Sequence, residues 1–168
     1  MHLFLIVIWM SLAAVLRFTN LESKALWADE FSTLIFSLGN SYTSVPLDRV
    51  LSWSALLQPL QVNPTASVGT VIHNLLTESN HPPLYFALSH LWLNLFPAES
   101  GLVSLGAARS LSAAIGVLTV PAMFGLGWLL FQSKRVGHLA AVLMALSPFG
   151  IYLAQEARHY TLAVGWII

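Results

Sequence analysis

The sequence from residue 111 to residue 153 reads LSAAIGVLTVPAMFGLGWLLF, then QSKR, then VGHLAAVLMALSPFGIYL. Each apolar run approaches the roughly 20 residues that a helix needs to cross about 30 Å of hydrocarbon. Neither run contains Asp, Glu, Lys or Arg, and His138 is the only side chain in them that titrates near neutral pH. The pattern predicts two membrane-spanning helices, 111–131 and 136–153.

Two further apolar runs lie at the ends of the chain. Residues 3–18 form the first, and a cleaved signal peptide is its alternative reading, since the run is short and N-terminal. Against that reading, no Lys or Arg precedes the run and no A-x-A site follows it. The last run starts near Thr161 and is still apolar at Ile168. We therefore expect a longer natural protein, of which this chain is an N-terminal fragment.

The composition indicates lipid as the main solvent. Hydrophobic residues make up 57% of the chain, charged residues only 8%, and the mean hydropathy is +0.74. The net charge is zero and there is no basic arm, which argues against a nucleic-acid partner. Because the chain has no cysteine, disulfides, thiolate metal sites and cysteine nucleophiles are excluded. Histidines and carboxylates must carry any chemistry.

Residues 20–108 hold most of the polar side chains and are patterned as short helices. After Ser67, a plausible N-cap, apolar residues recur at helical spacing. A less regular pattern involves Leu47, Val50, Leu51, Leu57 and Leu60. The apolar run 84–96 ends at Pro97 and is too short to cross comfortably. With its Trp and Tyr residues, it predicts a helix lying in the membrane interface.

Charge predicts the orientation. The QSKR connection is short and basic, which places it in the cytoplasm. Residues 20–108 and the polar segment 155–160 then share the extracytoplasmic side. Arg109 and Arg158 lie close to helix ends on that side, against the positive-inside rule. Binding of an anionic ligand would explain both cations.

Four polar motifs are candidates for chemistry. The first is Trp27-Ala28-Asp29-Glu30, whose adjacent acids can bind a divalent metal, act as a general base or simply be solvated. The second, His81-Pro82-Pro83-Leu84-Tyr85, presents His81 rigidly because two prolines forbid helix continuation, although a plain turn has the same sequence signal.

The other two motifs flank the apolar runs. Arg109 opens the segment RSLS at the start of the second span, where a snorkelling side chain is the alternative reading. The segment QEARHY, residues 155–160, places Glu156, Arg158, His159 and Tyr160 between two apolar runs. A salt-bridged helix cap would also account for it.

In chain order, the motifs W-x-D-E, H-P-P-L-Y-F, R-S-L-S-A, a basic turn, L-S-P-F and Q-E-A-R-H-Y resemble the GT-C glycosyltransferases. The group most similar in pattern is the RgtA/B/C/D-like and dolichyl-phosphate-mannose protein mannosyltransferase group, which includes aminoarabinose transferases. The resemblance implies a truncated GT-C fold and a polyprenyl-phosphate sugar donor. It covers nearly the whole chain, and residues 81–168 carry the RgtA/B/C/D-like part.

The resemblance also implies a role for each matching residue. Asp29 matches the acid of the first extracytoplasmic loop, assigned as catalytic base or metal-proximal carboxylate, with Glu30 beside it. Glu156 matches the second-loop acid, which is Asp in several branches, so that a divalent metal, Mg²⁺ or Mn²⁺, held by Asp29 and Glu156 is an open prediction. The donor-binding residues implied by the resemblance are Arg109 and Arg158 at the lipid phosphate, with His81, Tyr85, His159 and Tyr160 lining the same pocket.

The expected protein is therefore all-α, with transmembrane helices and interfacial amphipathic helices in its first extracytoplasmic loop. We expect three regions: the first span (1–19), the loop (20–108) and the second, third and truncated fourth spans (109–168). The expected function is inverting transfer of a sugar to a lipid, glycan or protein acceptor on the extracytoplasmic face of the plasma or inner membrane, with the fragment alone inactive. A transporter-like subunit and a non-catalytic membrane remnant are the alternatives.

Overall fold

The computed structural model describes residues 2–44, 48, 50–96, 98 and 101–168, and the regular secondary structure of this part of the chain is helical. This part of the chain contains no β-strand. Gln61 and Leu102 form an isolated antiparallel β-bridge. The predicted all-α class is confirmed. The α-helices are α1 (His2–Phe18), α2 (Ala28–Ser37), α3 (Trp53–Leu57), α4 (Val68–Glu78), α5 (Leu84–Leu93), α6 (Leu105–Phe131), α7 (Lys134–Leu146), α8 (Pro148–Ala154) and α9 (Tyr160–Ile167).

The chain divides into two compact units. The terminal unit comprises the chain through Lys24 together with Arg109–Ile168, and the loop unit comprises Ala25–Ala108. In the terminal unit, α1, α6 and α7 pack around a core that is rich in alanine. Small side chains let helix backbones approach closely, as they do in membrane helix bundles. The buried core residues of this unit are Ala13, Val120, Phe124, Ala141 and Ala145.

The loop unit has its own core where α2, α4 and α5 meet. Its centre consists of Phe36, Val71, Leu75 and Phe86. The predicted N-cap of α4 is present, because Ser67 Oγ accepts from the backbone N–H of Thr70 at 3.2 Å. The Thr70 hydroxyl pairs in return with the backbone N–H of Ser67, which completes a capping box.

Among the described helices, α6 alone is both long and apolar enough by itself to cross a bilayer, with 27 residues. Helices α7 and α8 pass the same test only when they are taken together, and they are bent by 56° relative to each other, as in a broken span or a re-entrant loop. Helix α1 is apolar but has 17 residues, and α5 has 10.

Two helix boundaries differ from the prediction. Helix α6 begins at Leu105, six residues before the predicted start at 111. The earlier start is capped by Ser104, whose Oγ accepts from the Ala107 N–H at 3.2 Å. The predicted third span is not one helix. It breaks at Ser147, since Pro148 has no N–H to continue the ladder and starts α8 instead.

The loop segments also differ in detail. The less regular amphipathic pattern gives only α3 and a 3₁₀ turn, Gln58–Leu60, because Pro59 interrupts the helix. Leu47, part of that pattern, lies outside the described residues, and so does Pro97. The run 84–96 does form a helix, α5, which ends at Leu93, three residues before the predicted limit. Its location in the membrane interface stays a prediction.

Candidate functional site

The predicted acid pair begins α2 in the loop unit. Trp27 takes the extended N-cap conformation, and Asp29 and Glu30 occupy the first turn. Carboxylates are favourable there because the backbone N–H groups of the first turn give that helix end a partial positive charge. Asp29 is half-buried, whereas Glu30 is buried. Asp29 is thus the acid of the pair that solvent or a substrate reaches more readily.

His81 lies just before α5, separated from it by Pro82 and Pro83. Its Nδ1 lies 2.8 Å from the Ser79 hydroxyl, and its ring meets the edge of Phe86 at 6.0 Å. Tyr85, on the first turn of α5, is buried against the same phenyl ring at 6.3 Å. Helix α5, which carries Tyr85, packs on α2, which carries the acid pair in its first turn. Tyr85 is a core residue of this unit.

Arg109 lies on the second turn of α6 in the terminal unit and is fully buried. Its Nη1 donates to the carbonyl oxygens of Leu21 at 2.6 Å and Lys24 at 3.0 Å. These carbonyls belong to the turn that follows α1. The guanidinium therefore links the start of α6 to the turn that follows α1.

Residues 155–159 form a tight turn between α8 and α9, and Tyr160 begins α9. Other residues of the terminal unit hold this turn from two sides. The Gln155 amide donates to the carbonyls of Leu16 (3.2 Å) and Thr19 (3.0 Å) at the end of α1. On the other side, Ser112 Oγ donates to the Arg158 carbonyl at 3.0 Å. Ser112 lies one helical turn after Arg109, so Arg109 and this turn are brought to the same end of α6.

Most side chains of that turn are not exposed. Glu156 and Arg158 are each only 4% exposed, although both are ionisable. The Arg158 guanidinium lies 5.5 Å from the centre of the Tyr160 ring, within the range of a cation–π interaction. The His159 and Tyr160 rings are 5.2 Å apart. The turn thus combines one acid, one cation and two amphipathic rings in a small volume.

Two more cations of the terminal unit lie near this end and were not selected as site residues from the sequence. The Lys24 ammonium sits over the Tyr152 ring, 4.0 Å from its centre. Arg17, 1% exposed near the end of α1, reaches the carbonyls where α7 ends. The signal that could have singled out Arg17 is its position inside an otherwise apolar helix.

The predicted site residues therefore fall into two sets. Asp29, Glu30, His81 and Tyr85 lie in the loop unit, and Arg109, Glu156, Arg158, His159 and Tyr160 lie in the terminal unit. Within the described residues, no group of three or more His, Asp or Glu side chains is placed to hold a metal ion. Metal binding by Asp29 and Glu156 stays a prediction.

No protein-family model, curated protein or solved structure matches this chain.

Proposed function

We propose that this chain is part of a membrane glycosyltransferase that takes its sugar from a polyprenyl-phosphate donor. The observation that carries the proposal is the pair of buried cations, Arg109 and Arg158, at one end of α6 beside the buried acid Glu156. Burying charge is costly unless it serves pairing or function. A phosphate at the membrane surface is the anion that such a pair suits, because arginine donors match phosphate oxygens two at a time.

A multi-pass membrane location is part of the proposal, and the surface of the terminal unit supports it. Large apolar side chains are exposed along α1, α6 and α7, including Leu3 (76%), Leu129 (67%) and Leu143 (63%). Soluble monomers rarely expose large apolar patches, so this set of exposed apolar side chains favours a surface that faces lipid. We assign residues 132–135, whose two basic residues Lys134 and Arg135 begin α7, to the cytoplasm, and the loop unit to the extracytoplasmic side of a plasma or inner membrane. The prenyl tail would then stay in lipid while the sugar emerges into water.

Donor cleavage is the step that the arginines would assist. The bond between the anomeric carbon and the phosphate oxygen breaks through an oxocarbenium-like transition state, and its electron pair stays on the departing polyprenyl phosphate. Negative charge develops on that phosphate. Arg109 and Arg158 would stabilise it, with His159 and Tyr160 beside Arg158 in the same unit. For His81 and Tyr85 of the loop unit, the donor-binding role stays a prediction.

The acceptor oxygen forms the new bond to the anomeric carbon and must lose its proton as it attacks. A carboxylate can take that proton, and Asp29 is our candidate because it is more exposed than Glu30. Glu156 is the second candidate acid. A single displacement inverts the configuration at the anomeric carbon.

The test is binding of a polyprenyl monophosphate to the chain in nanodiscs, measured against the polyprenol of the same length. The proposal requires the phosphate form to bind more tightly. It also requires that difference to depend on Arg109 and Arg158.

A further inference from the structure

The loop unit contains an open cleft of about 410 Å³. It lies between the residues that follow α2, the segment 58–64 and Asn74 of α4. A volume of this size is in the range of small-molecule sites, about 300–1,000 Å³. None of the candidate catalytic residues lines it, and its described lining residues carry no formal charge. The cleft is therefore a neutral polar surface separate from the acids and cations above.

Two asparagine side chains are fixed in the wall of this cleft. The Asn40 amide nitrogen donates to the carbonyls of Pro59 and Gln61, both at 2.8 Å. The Asn74 amide nitrogen donates to the carbonyls of Gly39 (3.1 Å) and Asn40 (3.2 Å). Each side-chain nitrogen faces two carbonyl oxygens, which only an N–H can pair with. The hydrogen bonds therefore fix which side-chain atom of Asn40 and of Asn74 is nitrogen and which is oxygen. Among the described residues, neither Oδ1 accepts a hydrogen bond, so each is an oriented acceptor.

Donors are supplied by three other amides of the same cleft. Asn63 Oδ1 accepts from the backbone N–H and the hydroxyl of Thr65, at 3.1 and 2.8 Å, which leaves its amide nitrogen as the donor. Gln58 and Gln61 are exposed, and their side chains form no hydrogen bond within the described part of the chain. Their amides can donate and accept.

This combination favours one class of ligand. Hydroxyl groups both donate and accept, so a ligand rich in hydroxyls can use the fixed oxygens and the free amides together. An anion or a cation would find no counter-charge on the described walls. Val62, 38% exposed, and Pro64 add apolar surface against which the C–H face of a sugar ring can lie.

We propose that this cleft binds a neutral carbohydrate, and that in the proposed glycosyl transfer it holds the acceptor. Only the acceptor role rests on the proposed function, since saccharide binding itself requires no donor and no turnover. The acceptor class is then a neutral glycan or glycolipid headgroup.

The experiment measures binding of methyl glycosides of neutral hexoses and of a neutral trisaccharide to the full chain in nanodiscs, by saturation-transfer NMR. Nanodiscs avoid detergents with sugar headgroups, which would compete. The double substitution Gln58→Ala with Gln61→Ala removes amides that make no internal side-chain bond, and should weaken binding about tenfold. Gln132→Ala, the same change at an exposed position of the terminal unit, should leave binding unchanged.

Val62→Trp provides a second, independent variant, because it fills the cleft without removing a side-chain hydrogen bond, and it should abolish binding. Absence of saccharide binding, or binding insensitive to both cleft variants, would overturn the proposal. So would tighter binding of glucuronate or of a neutral peptide than of the hexosides. Failure of the polyprenyl-phosphate test alone would leave these results standing, so that the two proposals fail separately.

Discussion

Arg17 donates a hydrogen bond from Nη2 to the backbone carbonyl of Met144, at 2.9 Å. In an uninterrupted helix that carbonyl would accept from the residue four positions later, which is Pro148 and has no N–H. Nη1 donates to the neighbouring carbonyl of Ala145 at 3.0 Å. The side chain of α1 thus satisfies carbonyls left open by the break between α7 and α8. A buried polar side chain replaces the missing part of the helix ladder.

We predict that Arg17→Ala destabilises the chain by about 1–3 kcal/mol, since two charge-assisted hydrogen bonds are lost from a buried site. In a Pro148→Ala background the cost should be smaller, because the substituted residue would supply the N–H that the Met144 carbonyl lacks. The free energy of unfolding in detergent would be measured for the unsubstituted chain, the two single variants and the double variant. Arg135→Ala, which removes an exposed cation, is the control. Equal losses of unfolding free energy in Arg17→Ala and Arg135→Ala would contradict this role of Arg17.

Close packing of α6 on α7 gives a second prediction. A Cβ added at Gly137 would lie 2.7 Å from the Phe124 carbonyl and 3.1 Å from its ring. At Gly125 an added Cβ meets nothing within 4 Å. Gly137→Ala should therefore destabilise by about 1–3 kcal/mol, as overpacking does, whereas Gly125→Ala should be neutral or stabilise by about 0.5–1 kcal/mol. Equal effects in the same unfolding assay would show that the helices do not pack as described.

The proposed orientation can be tested with single cysteines, because the chain has none. Glu156 is buried and would label poorly, but Asn80 and Gln132 are exposed. We expect an impermeant thiol reagent to label Asn80→Cys in intact cells and Gln132→Cys only after permeabilisation. The reverse pattern would invert the topology and place the candidate acids in the cytoplasm.

In a preparation that catalyses sugar transfer, the proposed chemistry predicts different effects for substitutions of Asp29 and of Arg109. Asp29→Asn keeps the size of the side chain but cannot accept a proton at neutral pH, so turnover should fall by about 10²–10⁴-fold with donor affinity retained. Arg109→Ala should weaken donor binding as well as rate, because a phosphate contact exists in ground and transition states alike. The single-turnover rate and the donor affinity of each variant would be measured. Near-normal turnover of Asp29→Asn would move the base to Glu30 or Glu156.

The structure adds a control that the sequence could not supply. Arg109 also holds the carbonyls of Leu21 and Lys24, so Arg109→Ala removes a structural contact along with any ligand contact. Thermal stability must be measured on the same samples. Added donor should stabilise the unsubstituted chain and not the Arg109→Ala chain, a difference that a purely structural arginine would not produce.

Local chemical signals were sufficient to predict some elements and not others. The capping box of α4 and the apolar length of α6 are local, and both helices form as expected. The signal for the break at Pro148 is also local, but the prediction of the third span relied on apolar composition. A single proline changes the hydropathy of such a run little, so the break was not predicted. Arg17 could not be assigned from sequence, since its partners, Met144 and Ala145, lie far along the chain. Likewise, only tertiary packing joins Ser112 to Arg158.

The central claim is that the buried arginines of the terminal unit bind the phosphate of a polyprenyl carrier. Its most direct measurement compares binding of a polyprenyl monophosphate and the matching polyprenol to the chain in nanodiscs, for the unsubstituted protein and for Arg109→Ala, Arg158→Ala and the exposed-cation control Arg135→Ala. The account predicts at least about tenfold tighter binding of the phosphate. That preference should be lost in Arg109→Ala and Arg158→Ala and kept in Arg135→Ala. Equal binding of the phosphate and the alcohol, or an equal loss in Arg135→Ala, would contradict it.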